Sequence, residues 1–270
     1  MKSMKTGYAS LCRLYRIATI FIIAAVAFLT ACTSGSINED VASQIYFYET
    51  YTVLDLSSIF NQLNEEAAKD NPDAPTLEQL LHQQDFNQHT RMSIFSQRPD
   101  SIDNTPTVEI PDSIYDTPVV GRALAADTAA VNRIIAQFGK EILPRDVILM
   151  WSLKPIKLSD QQEAFELIAL RTVNEEPIMN GEYLVKAKSK YDSKNGTIIS
   201  LKFDTAGARM LYRITSQNIG RHLAFVAFNK VLSYPDVVGS VDDGYVEIPV
   251  NLTEEEAKSF IDCLYGRAQQ

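Results

Sequence analysis

FDTAGARMLYRITSQNIGRHLAFVAFN, residues Phe203–Asn229, is the stretch whose parsing decides the fold. Just before it, TIISLKF places Ile199, Leu201 and Phe203 on one face with period two, the mark of a strand. Asp204 then stands where a helix start needs an acceptor for free backbone N–H groups, which favours an N-cap over a catalytic carboxylate. Leu211, Ile214 and Thr215 or Asn218 fall on one side of the helix this predicts, Gly220 would end it, and HLAFVAF is the next strand. The reading is strand, helix, strand, so Asp204, Asn218 and Gly220 are framework residues.

Working outward toward the C-terminus, Asn229-Lys230 is a two-residue turn candidate into VLSYP. Asp243-Gly244 leads into YVEIPV, where Val246, Ile248 and Val250 alternate. Thr253 and Glu256 form a capping box for a last helix carrying Ala257, Phe260, Ile261 and Leu264. Negative charge at Glu254, Glu255 and Glu256 suits the first turn of that helix. Cys263 lies among its apolar positions and is expected to be a buried, inert thiol.

Toward the N-terminus, Asn195-Gly196 is a turn, and AFELIALRTV and DVILMWSL are strands. DTAAVNRIIAQF is a helix with Asp127 as cap and Gly139 as its C-terminal αL residue. Residues 69–118 are interrupted by Pro72, Pro75, Pro99, Pro106, Pro111 and Pro118 and read as an irregular insertion with one short helix near TLEQLLHQQ. Residues 44–68 form a strand-helix unit: QIYFYETYTV, then Leu56, Ile59, Phe60 and Leu63 at helical spacing with Asp55 as cap. The sum is an α+β domain over 119–267, helices packed on one face of a largely antiparallel sheet.

The N-terminus holds Lys2, Lys5, Arg13 and Arg16 with no acidic residue, then an apolar run from Ile17 to Cys32. That run falls short of the roughly 20 residues a spanning helix needs. It reads as a secretory signal over 1–31, cut within Leu29-Thr30-Ala31-Cys32 just before the Cys, so that Cys32 takes lipid and 32–43 form a flexible tether. Cleavage there would remove those four cations and take the formal net charge from −9 to −13. A chain so acidic repels nucleic acid and anionic headgroups, so the expected membrane link is the acyl anchor. With Cys12 in the signal and Cys32 acylated, Cys263 has no disulfide partner.

No nucleophile elbow, zinc-protease helix, CxxC, P-loop or dinucleotide-binding glycine motif occurs, and no cofactor is expected. His82 and His89, seven apart, lack a completing Cys or carboxylate, and His222 opens a strand as an ordinary side chain. Trp151 and the group Tyr46, Tyr48 and Tyr51 suit core packing better than an aromatic binding surface.

Taken in order, FDTAGARMLYRITSQNIGRHLAFV, VLSYPDV and LTEEEA resemble the first periplasmic domain of SecD and fused SecDF. The matching residues are Phe203, Asp204, Gly207, Ala208, Thr215, Asn218, Gly220, Ser233, Pro235, Thr253, Glu255, Glu256 and Ala257. FYETYT, TPVVG, DTAAVN and LPRDV extend the resemblance from about Ile45 to Arg267. The chain departs from the family at Asn229-Lys230, where Asp-Gly is usual, and in SVDDGYVEIPV, where a glycine-rich hairpin is usual. The family's transmembrane helices and the region before its ETY segment are also missing, so the chain is not expected to couple to protons by itself. The resemblance implies a SecD head-like fold and a non-enzymatic accessory module contacting unfolded exported chains, the translocon or other envelope proteins. The alternative is a structural or interaction lipoprotein of the envelope unrelated to export. Thr33 after the acylated Cys points to an outer-membrane anchor facing the periplasm.

Overall fold

A computed structural model describes residues 36–81, 117–158, 162–193 and 196–266. The expected signal, Cys32, His82, His89 and most of the proline-rich stretch lie outside the described residues.

The larger sheet grows around β5 (Glu163–Arg171). One edge of β5 pairs with β2 (Val119–Leu124) and then β1 (Ile45–Thr50). The other pairs with β3 (Val147–Trp151) and β4 (Ile156–Lys157). β1 continues into β9 (Leu223–Ala227) and β10 (Lys230–Ser233), with β6 (Met179–Asn180) beside it, all antiparallel. A parallel bridge between Ser152 and Val231 and a 2.8 Å bond from the Leu153 N–H to the Val231 carbonyl then join the margins of the sheet. The sheet is therefore rolled, and Tyr48, Ile168, Leu170, Ala224, Val226 and Val231 fill its inside.

The outward face is covered in two ways. Over β5 and β3 lie α2 (Val53–Asp70), the short α3 (Leu77–Leu80) and α4 (Thr128–Ile142), burying Leu56, Phe60, Leu63 and Val131 against Leu167 and Ala169. Over β1 and β9 packs a second sheet of β7 (Leu184–Asp192), β8 (Gly196–Phe203) and β11 (Tyr245–Val250), in order β11-β8-β7. α5 (Thr205–Gln217) and α6 (Glu254–Leu264) complete that core around Phe47, Phe203, Phe225 and Phe260. A four-residue α1 (Glu39–Ala42) adds Val41 and Ala42, so the C-terminal part of the expected 32–43 tether is core rather than flexible linker. The architecture is α+β with antiparallel sheets and helices, the antiparallel part being divided in two. Fully burying one Phe or Leu here is worth about 1.5–3 kcal/mol.

Several local expectations shift. Thr52, not Asp55, caps α2; Asp55 is the third helical residue of a capping box and accepts the Thr52 N–H. α4 runs through Gly139 to Ile142 because Gly139 is buried where a Cβ would meet Leu143, and Pro144 lies just beyond its end. Asp127 occupies the N-cap position of α4 without a side-chain cap bond. The hairpin after β9 turns at Phe228-Asn229, both with positive φ, since Ala227 pairs with Lys230. Strand β7 carries no strand pattern in the sequence, because among its described side chains only Leu184 and Ala187 are buried. Cys263 is half-buried rather than buried.

Candidate functional site

Where the margins of the rolled sheet meet, a cavity of about 360 Å³ opens between the ends of β3 and β10 and the segment leading into α6. Leu153, Ile156, Val231, Leu232 and Leu252 give it apolar walls, and Glu166, Tyr234 and Ser152 supply polar groups. Period two on β5 points Glu166 to the same inner side as Ile168 and Leu170, so a carboxylate is buried in an apolar setting. Burial of a charge is tolerated only with partners, and Glu166 has them. Arg122, directly opposite on β2, donates from Nε and Nη2 at 3.1 Å each, and the Tyr234 hydroxyl donates at 2.7 Å. Desolvation, then the Glu166 charge and hydrogen bond, push the Tyr234 phenol far above its ordinary range, so it stays a donor.

The rest of the site is tied inward in the same way. Ser152 Oγ accepts the Glu166 N–H and donates to the Lys154 carbonyl. Lys154 pairs with Glu256, whose carboxyl is held below the usual range first by that lysine and then by Thr253. The arrangement can hold an apolar or amide-bearing group; its carboxylate and phenol are committed to each other. Among the described residues no group of three or more His, Cys, Asp or Glu could hold a metal.

The residues marked by sequence hold the two ends of α5 and the start of α6. Asp204 caps α5 by accepting the Gly207 N–H at 2.8 Å, and a Cβ on Gly207 would sit 2.6 Å from Tyr183 Cβ. At the other end of α5, Thr215 Oγ1 accepts the Val241 N–H, and Asn218 Nδ2 donates to Glu49 and to the Ile214 carbonyl. The Gly220 N–H reaches the Val237 carbonyl, and the Pro235 carbonyl accepts from Leu223. Together these bonds pin the loop after β10. Pro235 lines the cavity, and Glu256, in its capping box with Thr253, borders it through Lys154. His222 bonds through Nδ1 to the Tyr234 carbonyl and lies 3.1 Å from Asp236. Trp151 donates to Asn132 within the helical core, and Tyr51 donates to Asp146.

Residues 158–266 match the family model for SecDF, P1 head subdomain. The chain carries a SecD head-like domain. Protein translocase subunit SecD of Rhodothermus marinus is 29% identical over 164 residues, covering 60% of this chain and 26% of that protein. The Calditerrivibrio nitroreducens subunit is 29% identical over 117 residues, 43% of this chain and 22% of that one. The Rickettsia prowazekii subunit is 32% identical over 85 residues, 32% and 16% respectively. The chain thus spans about a quarter or less of these relatives. A solved SecDF structure, described as a membrane component that enhances protein export, aligns over 83% of this chain and 94% of that one at 17% identity and a TM-score of 0.32.

The head-like domain supplies Glu166 and Tyr234 to the cavity and Glu256 as the partner of Lys154, while Arg122, Ser152 and Lys154 precede the matched segment. Sequence reasoning missed the Glu166 cluster. One signal was available: Glu166 is the lone charge inside the apolar run AFELIAL, which marks a strand position needing a partner. Among the described residues no helix is long and apolar enough to cross a membrane.

Proposed function

We propose that this protein is an extracytoplasmic, membrane-associated binding module linked to protein export, and that its partner is another polypeptide rather than a reacting substrate. The match of residues 158–266 to the SecDF P1 head subdomain carries this reading. The satisfied polar groups of the cavity support a non-enzymatic role, since Glu166, Tyr234 and Arg122 serve one another. In this reading Cys32 is acylated, and a short tether that ends before α1 leaves the module facing the periplasm. Residues 44–68 act with 119–267 as one unit because β1 lies between β9 and β5, with 69–118 inserted between them.

Photocrosslinking in the native cell tests it. Tyr234 is a poor position for the probe, because its hydroxyl is buried against Glu166; Val238, 93% exposed on the pinned loop, is the suitable one. Capture of translocon subunits or of many exported chains at Val238 is the expected result. A single envelope protein unrelated to export would overturn the export link and leave an interaction lipoprotein.

A further inference from the structure

The β11-β8-β7 sheet keeps its inner face, with Ala187, Ile199, Leu201 and Ile248, in the core; on its outer face Ile198 and Ser200 of the central strand are buried and the β7 lysines are exposed. On that outer face stand Lys186, Lys188 and Lys190 of β7 and Lys202 of β8, although the whole chain has a formal net charge of −9. Glu247 of β11 answers Lys190 at 2.6 Å, and Lys202 donates to the Asp243 carbonyl. Lys186 lies directly opposite Lys202 in the ladder, an arrangement that costs stability unless an anion relieves it. Among the described residues neither Lys186 nor Lys188 forms an ion pair. Edge lysines often serve only to repel other strands, but Lys202 sits on the central strand and guards no edge.

The backbone of β7 adds an independent observation. The Tyr265 hydroxyl accepts the Ala187 N–H at 3.0 Å and donates to the Ala187 carbonyl at 3.1 Å. Ala187 therefore faces away from β8, and by alternation so do Ser189 and Tyr191. Tyr265 occupies the edge at Ala187, whereas the outward groups of Ser189 and Tyr191 have no partner among the described residues. The Tyr191 side chain is 62% exposed there.

We propose that the β7 edge at Ser189–Tyr191 takes an extended acidic segment of a protein as a fourth strand, stopped at one end by Tyr265. Carboxylates at every second guest position would lie on the lysine face and be drawn to Lys186 and Lys188. The proposal rests on the binding-module reading and names the edge and the chemistry it selects. A lipid surface would meet the same lysines but leave the strand groups unused, so the backbone decides between them.

The test uses the full chain and a fluorescent ten-residue peptide with Glu alternating with Thr, read by anisotropy, beside a peptide of the same composition with its Glu residues in one block. The alternating peptide is expected to bind better, and K186E/K188E to abolish binding. Ser189→Pro removes only an outward N–H, which an edge strand tolerates, and is expected to weaken binding about fivefold. Slowed hydrogen exchange at Ser189 and Tyr191 on adding peptide reads the same bond without any substitution. Equal binding of the two peptides, indifference to Ser189→Pro, or unprotected amides would overturn the proposal and make the face a general anion surface. Peptide binding with no export-related capture at Val238 would sink the export reading alone; capture without peptide binding would sink the edge alone.

Discussion

Two glutamates receive nearly the same partners in opposite surroundings. Glu166, inside the rolled sheet, holds Arg122, the Tyr234 hydroxyl and, through its backbone, Ser152. Glu247, on the outer face of the small sheet, holds Lys190, the Tyr245 hydroxyl at 2.7 Å and Ser200. An inventory of bonds would rate them equal. Water separates them: the exposed pair gives up hydration it can regain at any time, while the buried carboxylate has no other source of donors. One cluster holds the fold together, and the other sits in water that can replace any of its bonds.

The largest effect is therefore expected at Glu166. Glu166→Ala strands Arg122 and the Tyr234 hydroxyl, and should cost about 3 kcal/mol in urea unfolding, below the top of the usual range because Arg122 is partly exposed. A loss no larger than that of Glu247→Ala would break the comparison. Gly207→Ala tests the framework at the start of α5; its Cβ would overlap Tyr183 and Phe203, for a loss of about 2 kcal/mol by the same method. Tyr234→Phe removes one donor to a buried carboxylate and should cost about 1.5–2 kcal/mol.

Alkaline titration sharpens the contrast. Folding raises the Tyr234 phenol pKa, so the native state binds that proton more tightly than the unfolded chain, whose phenols titrate near pH 10. Stability from this group is complete below about pH 10 and is lost as pH rises toward the folded value. Burial, with Asp146, raises Tyr51 to about 12, which adds a second decline between about pH 10 and 12. Tyr234→Phe should flatten the curve and leave the Tyr51 part, as Tm measured across that range would record. The smallest effect belongs to Glu247→Ala, about 0.5 kcal/mol or less and fading with added salt.

How much of this could be read from the chain depends on the range of the interaction. The capping box at Thr253 and Glu256, the Asp204 cap and the alternation of β8 and β11 act within a few residues, and the sequence displays them directly. The hairpin after β9 slipped by one residue because Asn229 tolerates either turn position, and the choice fell to Phe228 stacking edge-on against Phe260. β7 hid because an edge strand buries too few side chains to leave a pattern. The Glu166 cluster joins residues 44 and 68 positions apart, and the cavity exists only once the sheet has rolled, which no local spacing encodes.

The place of β1 between β9 and β5 also sets a clock. Thr50 bonds to the carbonyl of His222, 172 residues later. At roughly 5–20 residues per second of synthesis, the apolar strand carrying Ile45 and Phe47 exists for about nine to thirty-five seconds before β9 does. Until β9 is made, one edge of β1 stays open, and whatever accompanies the young chain has to keep that edge from pairing elsewhere.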